Sequence, residues 1–197
     1  MSCFSTSSSA IADTQLNPCL LWLKQLRDYN PLVMCITNRV TPQRVADIIL
    51  SVGGSPAMVD NSDEVLEFAA ISSCVYLNTG LGTSQCAVID RILATEQLPS
   101  SIPLFVIDPV GYGATEFRTS SINKIVAYLK DANHLAAIKG NAAEITALSI
   151  KLAGYTPLEQ HDEVKGKGVD SDAKTESAIL PAIHLAKYLN AVVSVSG

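Results

Sequence analysis

Six short apolar runs alternating with segments of helical spacing restrict what this chain of 197 residues can fold into. The runs are Leu32–Ile36, Pro56–Val59, Cys74–Leu77, Leu104–Ile107, Leu135–Ile138 and Ala191–Val195. They are short and continuously apolar, as strands buried on both faces are. Leu16–Tyr29 carries a helical stripe at 16, 20, 23 and 26. Thr41 then offers an N-cap with Pro42 at the first helical position, and Val45, Ile48, Ile49 and Val52 form a face that Gly53-Gly54 ends. Further helices are expected from Ser62 to about Ala70, Thr83 to Thr95, Thr119 to Leu129, Asn141 to about Ile150, and Pro181 to Asn190. No internal repeat is present. Strand–helix alternation of this kind implies a doubly wound α/β layer around a mostly parallel sheet.

Composition agrees. Hydrophobic residues make up 48% and charged residues 17%, which suits a sheet covered on both faces and argues against disorder. The net charge of −5 and the lack of a basic patch argue against nucleic-acid binding. No apolar run nears the roughly 18 residues that span a membrane. The five cysteines (Cys3, Cys19, Cys35, Cys74, Cys86) are odd in number and form no C-x-x-C pair. Free thiols in a reducing, cytoplasmic setting are expected, with Cys35 and Cys74 in the core. Met1–Thr14 is rich in Ser and Thr and lacks the basic start and apolar centre of a secretory signal. It reads as a disordered tail before a folded domain over 15–197. Glu159–Thr175 reads as a polar surface loop.

The chemistry lies at the ends of the runs. Right-handed crossovers bring the carboxyl ends of parallel strands to one sheet edge, where open α/β sheets bind ligands. Four polar endings would meet there: Thr37-Asn38, Asn78-Thr79-Gly80, Asp108-Pro109 and Lys139-Gly140-Asn141. After Asp108 come Gly111, Gly113 and Thr115, a loop whose backbone N–H groups can approach an anion. Asp108 and Glu144 supply carboxylates for Mg²⁺, and Lys139 a cation for phosphate, the groups that phosphoryl transfer requires. Each has a plainer reading: Asp108 as a turn residue before proline, Lys139 as an exposed terminus, and Asn141 with Glu144 as a capping box. No P-loop motif is present. His134, His161 and His184 follow no metal or triad spacing and read as structural.

Five blocks, in order, resemble the hydroxyethylthiazole kinase family: Pro31–Asn38, Gly53–Met58, Asp108–Thr115, Lys139–Ile145 and Lys167–Ser171. The resemblance covers about Pro31 to Gly197. It implies a ribokinase-like fold, phosphorylation of the hydroxyethyl group of thiamine's thiazole precursor, ATP as co-substrate with Mg²⁺, and a homotrimer with sites between subunits. By position, it places Met58, Asn38 and the Gly54-Ser55-Pro56 segment against the thiazole. It places Asp108 and Glu144 at the metal, and Lys139 and Ser196 at ATP.

Departures from the family pattern are specific. Met34 stands where a histidine is usual, Lys139 where an arginine is usual, and Gln43 and Asp47 where asparagines are common. Lysine keeps the charge but lacks the planar two-pronged grip of arginine on phosphate. The family's Gly-Thr-Gly-Cys segment, with its catalytic cysteine and anion hole, would lie beyond Gly197. An incomplete domain with little turnover is therefore expected of this chain. The competing readings are a ribokinase-like kinase for another small hydroxymethyl substrate and a non-catalytic partner subunit.

Overall fold

The computed structural model describes residues 18–80, 82–157 and 175–196. The expectations for the tail, for 159–174 and for the Lys167–Ser171 block fall outside them. Among the described residues, seven α-helices and six strands begin with α1 (Pro18–Tyr29), β1 (Leu32–Ile36), α2 (Pro42–Val52), β2 (Ser55–Met58), α3 (Val65–Ile71), β3 (Cys74–Asn78) and α4 (Thr83–Leu93). There follow β4 (Phe105–Asp108), α5 (Glu116–Asp131), β5 (Leu135–Asn141), α6 (Ala142–Ala153), α7 (Ile179–Leu189) and β6 (Val192–Ser196).

All strand pairings are parallel, in the order β2-β1-β3-β4-β5-β6. The chain steps outward from β1 to β2, then crosses back past β1 and continues one way to β6. Right-handed crossovers consequently put α2 on one face and the later helices on the other. The reversal makes the gap beyond the carboxyl ends of β1 and β3 a topological switch point, where such sheets bind ligands.

The core lies on the face of the later helices. Met34, Ile36, Val75, Leu77, Phe105, Ile107 and Ile138 point there and pack against Val88, Ile92, Ile122, Ile125, Ile145, Leu148 and Leu185. No residue of α1 or α2 joins this cluster. Met34 is fully buried within it, so the methionine at that departure is a core residue. On the opposite face Val33, Cys74, Tyr76, Val106 and Ala137 are only half-buried, while Cys35 is buried. Helices thus flank both faces, but unevenly among the described residues. Strand order causes this imbalance.

Several boundaries differ from the sequence expectation for local reasons. α3 starts at Val65 rather than near Ser62, because the Asn61 side chain accepts the Asp63 N–H in a turn of its own. α5 begins three residues before Thr119, capped by the Thr115 hydroxyl, which accepts the Arg118 N–H. β4 is shifted by one residue: Leu104 is 50% exposed and Asp108 is the strand's last residue, paired with Asn78. α2 does have Pro42 at its start, and Gly53 closes it with φ 100°, a conformation that suits glycine. In α1 the expected stripe is weakly used, with Leu23 and Leu26 half-buried and Leu20 and Trp22 exposed. Cys35, Cys74 and Cys86 are unbridged thiols.

Candidate functional site

The four polar strand endings do meet, and a directed chain of hydrogen bonds joins three of them. Asn38 Oδ1 accepts the backbone N–H groups of Val40 (2.8 Å) and Thr41 (3.1 Å), capping the approach to α2. Asn38 Nδ2 therefore faces outward and donates to Asn78 Oδ1 at 3.1 Å. That oxygen also accepts the Gly80 N–H at 3.0 Å, which turns Asn78 Nδ2 toward Asp108 Oδ2 at 3.4 Å. The Tyr76 hydroxyl donates to the same Oδ2 at 3.1 Å, and Lys139 Nζ lies 3.9 Å from it.

Gly80 makes this approach possible. A Cβ there would stand 2.6 Å from Asn38 Cβ and 3.0 Å from both Asn38 Nδ2 and Asn78 Oδ1. Gly80→Ala is expected to cost about 1–2 kcal/mol through overpacking and to break the Asn38–Asn78 bond. Thermal denaturation checks the first effect, and an unchanged melting temperature would contradict it.

Glu144 lies close enough to Asp108 for the two carboxylates to interact electrostatically. Its Oε1 accepts the Gly111 N–H at 2.8 Å and its Oε2 the Asn141 N–H at 2.9 Å, while Asn141 Oδ1 accepts the Glu144 N–H at 2.9 Å. The capping box is real, and the same carboxylate also ties down the loop after β4. Arg118 holds that loop from the far side by donating to the Val110 carbonyl oxygen. Gly111 and Gly113 adopt φ of 72° and 86°. Ser196, paired with Asn141 across β5 and β6, donates to the Gly140 carbonyl oxygen at the same edge.

Burial raises the pKa of Asp108, and the Lys139 ammonium is the main opposing influence. It raises that of Glu144 as well, opposed by the two backbone N–H groups. The Tyr76 hydroxyl is pushed up to about 12, so it remains a donor at neutral pH.

Beside Asn38 opens a cavity of about 190 Å³, lined by Cys35, Thr37, Asn38, Met58, Ser84 and Gln85 among others. Gln85 is buried and holds the walls together: Nε2 donates to the Thr37 carbonyl oxygen at 2.6 Å, and Oε1 accepts the Gly82 N–H at 3.1 Å. Sequence reasoning passed over Gln85 and Tyr76. Both lie within plain helix and strand patterns, and only the three-residue spacing from Gly82 to Gln85 hinted at a cap. Gly54 and Ser55 sit at the amino end of β2, away from this cavity, and Pro56 shares a sheet face with Met58.

The donor set is oxygen only. Among the described residues no group of three or more His, Cys, Asp or Glu side chains is gathered for a metal. Mg²⁺ suits such a place, being held by one or two carboxylates together with water and substrate phosphates.

Comparison with known proteins decides the family. A family model described as the hydroxyethylthiazole kinase family matches residues 23–197. This chain belongs to that family. Hydroxyethylthiazole kinase from Leptospira interrogans is 37% identical over 175 residues, covering 89% of this chain and 60% of its own length. The enzyme of that name from Rhizobium johnstonii is 40% identical over 176 residues, covering 89% and 59%. The solved structure of the hydroxyethylthiazole kinase protein from Pyrococcus horikoshii OT3 superposes with a TM-score of 0.67 at 29% identity, covering 89% of this chain and 59% of that one. The ribokinase-like α/β fold expected from the sequence is borne out. The chain spans about 60% of the length of the curated relatives it matches. Among the described residues, no helix is long and apolar enough to cross a membrane.

Proposed function

We propose that this chain carries the acceptor pocket and the metal-binding carboxylates of a kinase that phosphorylates the hydroxyethyl group of the thiazole precursor of thiamine, with ATP as donor. The observation that carries this reading is the Asn38–Asn78–Asp108 chain, which joins the small cavity at the switch point to the carboxylate at the end of β4. Met58 and Asn38 contact the thiazole, and Gln85 shapes the cavity wall. Pro56 lies on the same face, while Gly54 and Ser55 set the start of β2 beneath it.

Asp108 would hold Mg²⁺, which when bound would supply positive charge to neutralise the phosphates. Each Glu144 oxygen already accepts one backbone N–H and keeps a further lone pair, so Glu144 contributes at the metal while keeping the Gly111 loop in place. Lys139 leaves Asp108 to meet an ATP phosphate as a point charge, with Ser196 nearby on the edge. The working assembly is a homotrimer in the cytoplasm, acting on small molecules.

Titration of the protein with the thiazole alcohol tests the reading. Saturable binding is expected, together with loss of most affinity in Asn38→Ala and Met58→Ala. Phosphorylation of the alcohol by Mg·ATP is expected from a kinase of the full length of the relatives that carries this sequence. Transfer to hydroxymethylpyrimidine or pyridoxal in preference to the thiazole would overturn the substrate assignment, since a site built around one acceptor discriminates through kcat/KM.

A further inference from the structure

We propose that Tyr76 is a positioning residue for Asp108: with Asn78 it holds Oδ2, so that Oδ1 is the oxygen offered to a divalent cation. The inference rests on the metal reading of Asp108 given above. Three donors converge on Oδ2, namely the Tyr76 hydroxyl at 3.1 Å, Asn78 Nδ2 at 3.4 Å and Lys139 Nζ at 3.9 Å. None of these contacts falls on Oδ1. Asn78 Nδ2 also lies 3.5 Å from the Tyr76 hydroxyl oxygen, which closes a triangle of hydroxyl, amide and carboxylate.

Register explains why position 76 can do this. Asn78 pairs with Asp108 and Tyr76 with Val106, so Tyr76 stands one pair lower on the same face. From there a phenol reaches up the strand to the carboxylate. A side chain without its hydroxyl would fill the same space and hold nothing. Lys139 is half-exposed on a flexible stem and is the donor most free to leave for a phosphate. Once it has left, Tyr76 and Asn78 are the two donors that still hold the carboxylate. Ligating carboxylates are commonly oriented by such hydrogen-bonded partners.

The test uses Tyr76→Phe, which removes the hydroxyl and keeps the ring, with Asp108→Asn as control. Mn²⁺ binding to the full chain is followed by electron paramagnetic resonance, and binding of the thiazole alcohol by calorimetry. Asp108→Asn is expected to abolish Mn²⁺ binding. Tyr76→Phe is expected to weaken Mn²⁺ about tenfold, the scale for removing a partner of a ligating group, and to leave affinity for the alcohol unchanged. Mn²⁺ affinity in Tyr76→Phe equal to wild type, with Asp108→Asn inactive in binding, would overturn this inference alone. Equal loss of metal and alcohol binding in Tyr76→Phe would also overturn it, because that is the signature of general loosening. Retention of Mn²⁺ by Asp108→Asn would instead overturn the metal reading itself.

Discussion

Glu144→Gln lowers the stability of the protein by about 3 kcal/mol, the largest loss expected from any one-atom change at the site. The carboxylate is buried, and each of its oxygens accepts a backbone N–H from a different part of the chain. Gly111 belongs to the loop after β4 and Asn141 to the junction of β5 and α6. A glutamine offers only one acceptor, so its NH₂ must face one of these N–H groups. An orphaned buried donor costs about 1–3 kcal/mol, and a lost hydrogen bond to a charged group about 1.5–3 kcal/mol. Relief of the buried charge offsets part of the sum, since burial already pushes the Glu144 carboxyl upward. Urea denaturation measures the net effect, and a midpoint equal to wild type would refute it. Hydrogen exchange adds a local readout. The Gly111 or Asn141 amide should lose protection, whichever is left facing the NH₂.

That tie between Glu144 and Gly111, across 33 residues of sequence, shows where legibility ended. The strands were readable to within one or two residues at most ends, because continuous apolar runs leave few alternatives. The meeting of Asn38, Asn78, Asp108 and Lys139 was readable too, since parallel strands with right-handed crossovers must end on one edge. Asn141 and Glu144 could be seen as a capping box from their spacing alone. Their hold on a distant loop could not, because it depends on how far β5 runs beyond β4 before α6 starts. Tyr76 depends on register in the same way: one residue of slip would turn it to the core face. The uneven covering of the sheet was hidden for another reason. Local periodicity reports that a strand is apolar, while the direction of each crossover decides which face receives a helix. Leu104 shows the limit at small scale, because an apolar residue at a strand's edge looks the same in sequence as the strand's first core position.

Asp108→Asn should act in the opposite direction on stability while removing function. The introduced amide keeps one oxygen to accept from Tyr76 and Asn78, so the network loses little. Lys139, half-exposed, returns to water. What disappears is the cost of a buried charge. The native carboxyl titrates above its ordinary value of 3.8, with burial as the main cause. Below that value both folded and unfolded chains carry the proton and no penalty exists. As pH rises toward the raised native value, the unfolded chain releases its proton first, so wild-type stability falls through that window and stays lowered above it. The amide has no proton to release. The variant's melting temperature should therefore stay within a small constant of wild type at pH values below the ordinary carboxyl value, and exceed it increasingly as pH rises toward neutrality. A gap that shrinks with rising pH would mean that Lys139 outweighs burial at this carboxylate. On the metal reading of Asp108, the same variant should lose at least about a hundredfold in Mn²⁺ or Mg²⁺ affinity at neutral pH, a difference of about 2.7 kcal/mol. A gain in stability together with a loss of cation binding is what separates a carboxylate kept for a ligand from one kept for the fold. Glu144, which the fold needs for its two backbone bonds, gives the opposite sign in the denaturation experiment.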